Sequence, residues 1–127
     1  MKSNYTRGNA GRDGKRGWFI GQFIGPELGL RHRHDLEIKW AAHPRGETRP
    51  GSWVSYKVAT TIVVLIWGEI LIRVRERGEV EDLVLAMESD YVILPPIVEH
   101  TWEALTDCVI LTVRCPSVAG DQLQADG

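Results

Sequence analysis

The chain is short of cysteine, of long apolar runs, of excess charge and of helix-length amphipathic pattern, and each shortage removes a class of protein. Cys108 and Cys115 are the only thiols. Their odd separation puts them on opposite faces of a single strand, which disfavours a disulfide between them and fits free thiols in a reducing cytoplasm. The longest aliphatic run, 62–67, is far below the roughly 20 residues of a membrane span, and no apolar leader opens the chain. The formal net charge is -2, so the totals call for no polyanionic partner. Dinucleotide and phosphate-loop glycine patterns and zinc-finger spacings are missing too.

What is present suits one domain of 127 residues with 43% apolar and 25% charged side chains. Residues 1–17 are glycine-rich and carry Lys2, Arg7, Arg12, Lys15 and Arg16 against Asp13 alone. They read as a flexible basic arm, too sparse in charge for a nucleic-acid footprint. Residues 18–116 read as the folded domain and 117–127 as a polar tail.

Within the domain the pattern is that of short strands. At 36–43, Leu36, Ile38, Trp40 and Ala42 share one face, and Glu37, Lys39, Ala41 and His43 the other. The β-branched run ending at Trp67, followed by Gly68, Glu69 and an alternating 70–75 segment, reads as a hairpin, with Arg77-Gly78 as a second reversal. Further strands are expected at 80–85, 91–94, 101–104 and 108–115. The fold class is therefore all-β, a sandwich, jelly roll or barrel.

The segment Ser89-Asp90-Tyr91-Val92-Ile93-Leu94-Pro95-Pro96-Ile97-Val98-Glu99-His100 resembles the second motif of the cupin superfamily, in which Gly, Pro, a second Gly and His recur at this spacing. Pro95 and His100 keep their places, while Ser89 and Ile97 stand where the family has glycine. The resemblance covers roughly residues 36–115 and implies a cupin-like antiparallel β-barrel or jelly roll. In metal-binding cupins a first motif adds two His and a Glu. At that place this chain offers Trp53-Val54-Ser55 and Thr60-Thr61, so only His100 carries over.

A small-molecule-binding cupin of bacterial small-molecule or secondary metabolism is the expected class. Its reaction would be a metal-independent isomerisation, cyclisation or elimination, with no cofactor. His100 would move the proton, assisted by His43, Glu37 or Glu47, while Lys39 stabilises developing negative charge. Trp53, Trp67, Tyr91, Trp102 and Arg114 are candidates for the substrate pocket. Two alternatives stand beside it: a metal enzyme holding a divalent transition metal on His43, Glu47 and His100, and a non-enzymatic sensor or interaction domain. A homodimer is expected, paired through an edge strand such as 70–75. Whether the charged face of 37–43 or its apolar face looks inward is open at this level.

Overall fold

The computed structural model describes residues 4–51 and 53–125. Expectations for 1–3, Ser52 and 126–127 lie outside the described residues. Ten strands are present among them: β1 (Trp18–Ile20), β2 (Glu37–His43), β3 (Trp53–Tyr56), β4 (Thr60–Trp67), β5 (Ile70–Glu76), β6 (Glu79–Leu85), β7 (Tyr91–Leu94), β8 (Glu99–Ala104), β9 (Cys108–Cys115) and β10 (Gln122–Ala125).

The strands form two five-stranded antiparallel sheets, ordered β1-β2-β9-β4-β7 and β10-β3-β8-β5-β6. From β2 onward the chain changes sheet at every connection except the β5–β6 hairpin, which turns at Arg77 and Gly78, both with positive φ. Strand pairing among the described residues does not close the sheets into a barrel, so the all-β, two-sheet architecture stands without the closure expected of it.

Two sequence readings need correction. Residues 62–67 and 70–75 are not a hairpin, because β4 is flanked by β7 and β9 and the chain leaves for the other sheet at Gly68. That corner requires glycine: φ is +89°, and a Cβ would lie 2.3 Å from the Asp107 carbonyl oxygen. For the same reason β5 is no edge strand, being paired with β6 and β8 on its two sides.

The arm and the tail are also more structured than their composition implies. Asn9 caps a one-turn helix, α1 (Ala10–Asp13), by accepting from Arg12 N at 3.0 Å, and Arg31 Nη2 donates to Asp13 O at 3.1 Å. At the other end β10 pairs with β3, and the buried Asp121 carboxylate accepts from Val58 N and Ala59 N, both at 2.9 Å. The tail thus holds the β3–β4 turn.

Between the sheets, Val63, Leu65, Ile70, Ile72, Leu85, Cys108 and Ile110 form the principal core. Leu65 and Ile70 are 0% exposed, and burial of each stabilises the fold by about 2 kcal/mol. No helix among the described residues is long and apolar enough to cross a membrane.

Candidate functional site

Strand alternation decides what faces the space between the sheets. On β2, β9 and β4 the inward residues fall into register as rows: Glu37, Arg114 and Thr61, then Lys39, Thr112 and Val63, then Ala41, Ile110 and Leu65. The rows pass from ionic through mixed to apolar. The third merges with the core, and above it opens a chamber of about 460 Å3, faced from other elements by Tyr56, His100 and Trp102. The charged face of 37–43 is therefore the inward one, and Leu36 and Ile38 lie on the other side, beneath the N-terminal segment.

His43, two residues past the third row, lines the chamber with its ring 4.2 Å from that of Trp102. Its Nδ1 hydrogen-bonds the Glu47 carboxylate. Glu47 reaches it because the loop is sewn onto β8: Gly46 N donates to Ala104 O at 2.8 Å, Ala104 N to Glu47 O at 2.8 Å and Arg49 N to Trp102 O at 3.2 Å. The carboxylate can only accept from Nδ1–H while ionised, which fixes the tautomer and leaves Nε2 basic. Among the described residues Nε2 has no hydrogen-bond partner.

Arg114 is clamped. Its Nη1 donates to Glu37 Oε2 at 3.3 Å, and its guanidinium lies 4.1 Å from the Tyr56 ring and 4.9 Å from that of Trp18. Ser117 Oγ donates to the other Glu37 oxygen at 2.8 Å. Arg114 Nε and Thr61 Oγ1 are nonetheless buried without a hydrogen-bond partner. These two residues are direct cross-strand partners.

His100, delivered by the turn that follows Pro95, is 7% exposed. Ile97 N donates to Tyr56 O at 2.8 Å and ties that turn to β3. Ser89 and Ile97, at the family's glycine positions, have φ of 78° and 77°. The backbone keeps the conformation that glycine normally supplies. Burial pushes the His100 pKa down to about 4; a contact to the Val98 carbonyl opposes this, and Arg114 and Arg49 add to it. His100 is accordingly neutral near pH 7. Burial also lowers Lys39, helped by Arg114 and Arg49 and opposed by Glu47.

Of the residues expected at a site, Lys39, His43, His100, Trp102 and Arg114 line the chamber, while Glu37 and Glu47 grip two of them from behind. Trp53, Trp67 and Tyr91 do not line it. Trp53 packs under the Arg75 guanidinium at 4.4 Å, and Trp67 and Tyr91 are exposed on the first sheet. Sequence reasoning missed Arg49, Tyr56 and Thr61. Thr61 and Thr112, polar at inward positions of otherwise apolar strands, were the available signal.

The alternative metal set of His43, Glu47 and His100 does not assemble: no three His, Cys, Asp or Glu side chains converge as ligands among the described residues. Nor does the surrounding of His100 suit a metal, because its cross-strand neighbours are Val54 and Val74 and its ring stacks 6.1 Å from Tyr56.

Two antiparallel sheets enclose a polar chamber into which the Pro95 turn presents His100, a fold shared with solved structures. It is similar to that of QdtA, a sugar 3,4-ketoisomerase from Thermoanaerobacterium thermosaccharolyticum in complex with TDP, with a TM-score of 0.62 and 19% identity over 69% of this chain and 65% of that one. It is similar also to oxalate decarboxylase from Bacillus subtilis (TM-score 0.65, 17% identity, 80% of this chain and 26% of that one) and to KdgF from Halomonas sp. (0.55, 20%, 68% and 73%). The chain thus spans just under two thirds of QdtA and about a quarter of the decarboxylase. No family model matches the sequence, nor does any curated protein.

Proposed function

We propose that the protein is a small-molecule enzyme that shifts a proton on a bound carbonyl compound, with His43 as the catalytic base and acid. The observation carrying this reading is the His43–Glu47 pair set in the chamber wall. Nε2 would remove a proton from carbon beside the carbonyl, the electron pair would move onto the carbonyl oxygen, and Lys39 would stabilise the resulting enolate. Where that carbon bears a hydroxyl, passage of the hydroxyl proton to the enolate oxygen and return of the carbon-bound proton to the former carbonyl carbon move the carbonyl by one position, an isomerisation with no atoms gained or lost. Glu47 is a positioning residue that holds the ring and stabilises the imidazolium. His100, named first on sequence grounds, serves better in this reading as a neutral hydrogen-bonding group, because its low pKa makes it a poor proton carrier at pH 7. Similarity to the fold of a ketoisomerase agrees with the reaction class.

The test is carbon-bound hydrogen exchange in D2O, followed by proton NMR with a set of keto sugars and 2-oxo acids. His43→Asn should abolish exchange, and Glu47→Gln should slow it by roughly 10- to 100-fold while leaving the fold intact. Binding without exchange for every compound would favour the sensor reading instead.

Dimerisation belongs to the same proposal, through a different surface from the one expected. The outer face of the first sheet carries Trp40, Leu111, Val64 and Tyr91 in one row and Val113, Ile62 and Ile93 in the next, where the N-terminal segment covers Ile38. Five strands of this length present on the order of 500 Å2, approaching the roughly 800 Å2 that each partner gives to a standard dimer. A second copy stacked on this face would cover Tyr91 and Ile93, which are 64% and 52% exposed. Ile93→Glu should convert a dimer to monomer in sedimentation. The free thiols Cys108 and Cys115 support a reducing, cytoplasmic location.

A further inference from the structure

The first row of the chamber carries chemistry that the proton transfer does not use. Arg114 and Thr61 stand directly across from one another on β9 and β4, both facing inward, each with one buried polar atom lacking a partner. The Arg114 guanidinium cannot swing away, since Glu37 holds one side and the rings of Tyr56 and Trp18 hold its plane.

The charge around this point is one-sided. Arg16, Lys39, Arg49 and Arg114 line the chamber, and no Asp or Glu among the described residues does. The nearby carboxylates are occupied: Glu37 bonds Arg114 and Ser117, and Glu47 bonds His43. In a chain of net charge -2 this concentration of cations is local, and it favours an anionic ligand over a cationic one. The repulsion that Arg114 and Arg49 exert on Lys39 and His100 reports the same unbalanced field.

Length adds a constraint. His43 lies six residues along β2 from Glu37, the residue opposite Arg114. That separation is about 20 Å between backbone positions at strand rise. A compact ion cannot serve both ends.

We infer that the ligand is an elongated organic oxyanion, a carboxylate or phosphate ester, whose anionic end is held by Arg114 Nε, Thr61 Oγ1 and Arg49 while its reacting end lies at His43. This inference rests on the reading of the same chamber as the ligand site. Guanidinium and hydroxyl donors to one oxyanion give charge-assisted bonds that a neutral group would not make.

Calorimetric titration of the full-length chain with inorganic phosphate, inorganic diphosphate and malonate tests it. At least one should bind at low salt, and the phosphate and carboxylate arms distinguish the two sources of charge. Thr61→Val, which keeps shape, and Arg49→Gln should each weaken that binding about tenfold. Failure of all three anions to bind, or binding by both variants as tight as that of the unaltered chain, overturns the inference. His43→Asn should bind the anion as the unaltered chain does. Anion binding with no exchange on any carbonyl compound would defeat the enzyme reading alone. Exchange on a neutral keto sugar with no anion bound would defeat the oxyanion alone.

Discussion

Glu37 and Arg114 face each other in register across β2 and β9 and close an ion pair at 3.3 Å, with side chains only 12% and 15% exposed. A buried pair is costly to break from one side, because the surviving charge loses its counterion without regaining water. Glu37→Gln should therefore destabilise the protein by roughly 3 kcal/mol. A urea midpoint unchanged from that of the unaltered chain would show the pair to be solvent-screened.

Acid should weaken the fold through His100. The unfolded imidazole titrates near 6.5 and the folded one near 4, so the contribution is full above pH 6.5. It is lost as pH falls toward 4, where the unfolded chain binds a proton that the folded chain refuses. The shift amounts to roughly 3 kcal/mol. His100→Gln should flatten this part of the profile in denaturation experiments at pH 7, 5.5 and 4. An identical slope in both proteins would remove His100 as the cause.

Much of the fold was legible because strand alternation survives wherever one face is buried, as at 37–43, 70–76 and 108–115. Sheet membership was not legible. The step from β4 to β5 has the spacing of a hairpin, and only the placement of Gly68 against Asp107 sends the chain across to the other sheet. Likewise the polar composition of 117–125 concealed β10, which pairs with β3 next to the buried Asp121 carboxylate. At the site, the family spacing pointed to His100, which lines the chamber, but its ionisation depends on burial, which spacing does not encode. Glu47 was legible beside His43 only as an assisting group or metal ligand, and its bond to the His43 ring came from the loop held on β8. The pairing of Arg114 with Glu37 required the register of two strands 77 residues apart.

Ile97 gives a test in the stabilising direction. Its φ of 77° is strained for a β-branched residue, and at 61% exposure its side chain contributes little packing. Ile97→Gly should raise stability by about 1 kcal/mol, relief of strain outweighing the greater freedom of glycine when unfolded. A lower melting temperature would mean that the side chain packs more than its exposure implies.

Gly68→Ala should do the reverse. The added Cβ meets backbone, not a side chain that can move, so a loss of at least about 2 kcal/mol is expected. Thermal unfolding within a degree of the unaltered protein would show that the corner can relax.

The stepwise change along the inward rows also makes chamber depth an adjustable quantity. Ala41 is the smallest side chain of the third row, beside Ile110 and Leu65. A larger residue there would raise the floor by one row, and a smaller one at Val63 would lower it, without touching the residues that grip either end. The bulk of the ligand between its two ends could thus diverge between related chains through two apolar positions while the chemistry at those ends stays the same.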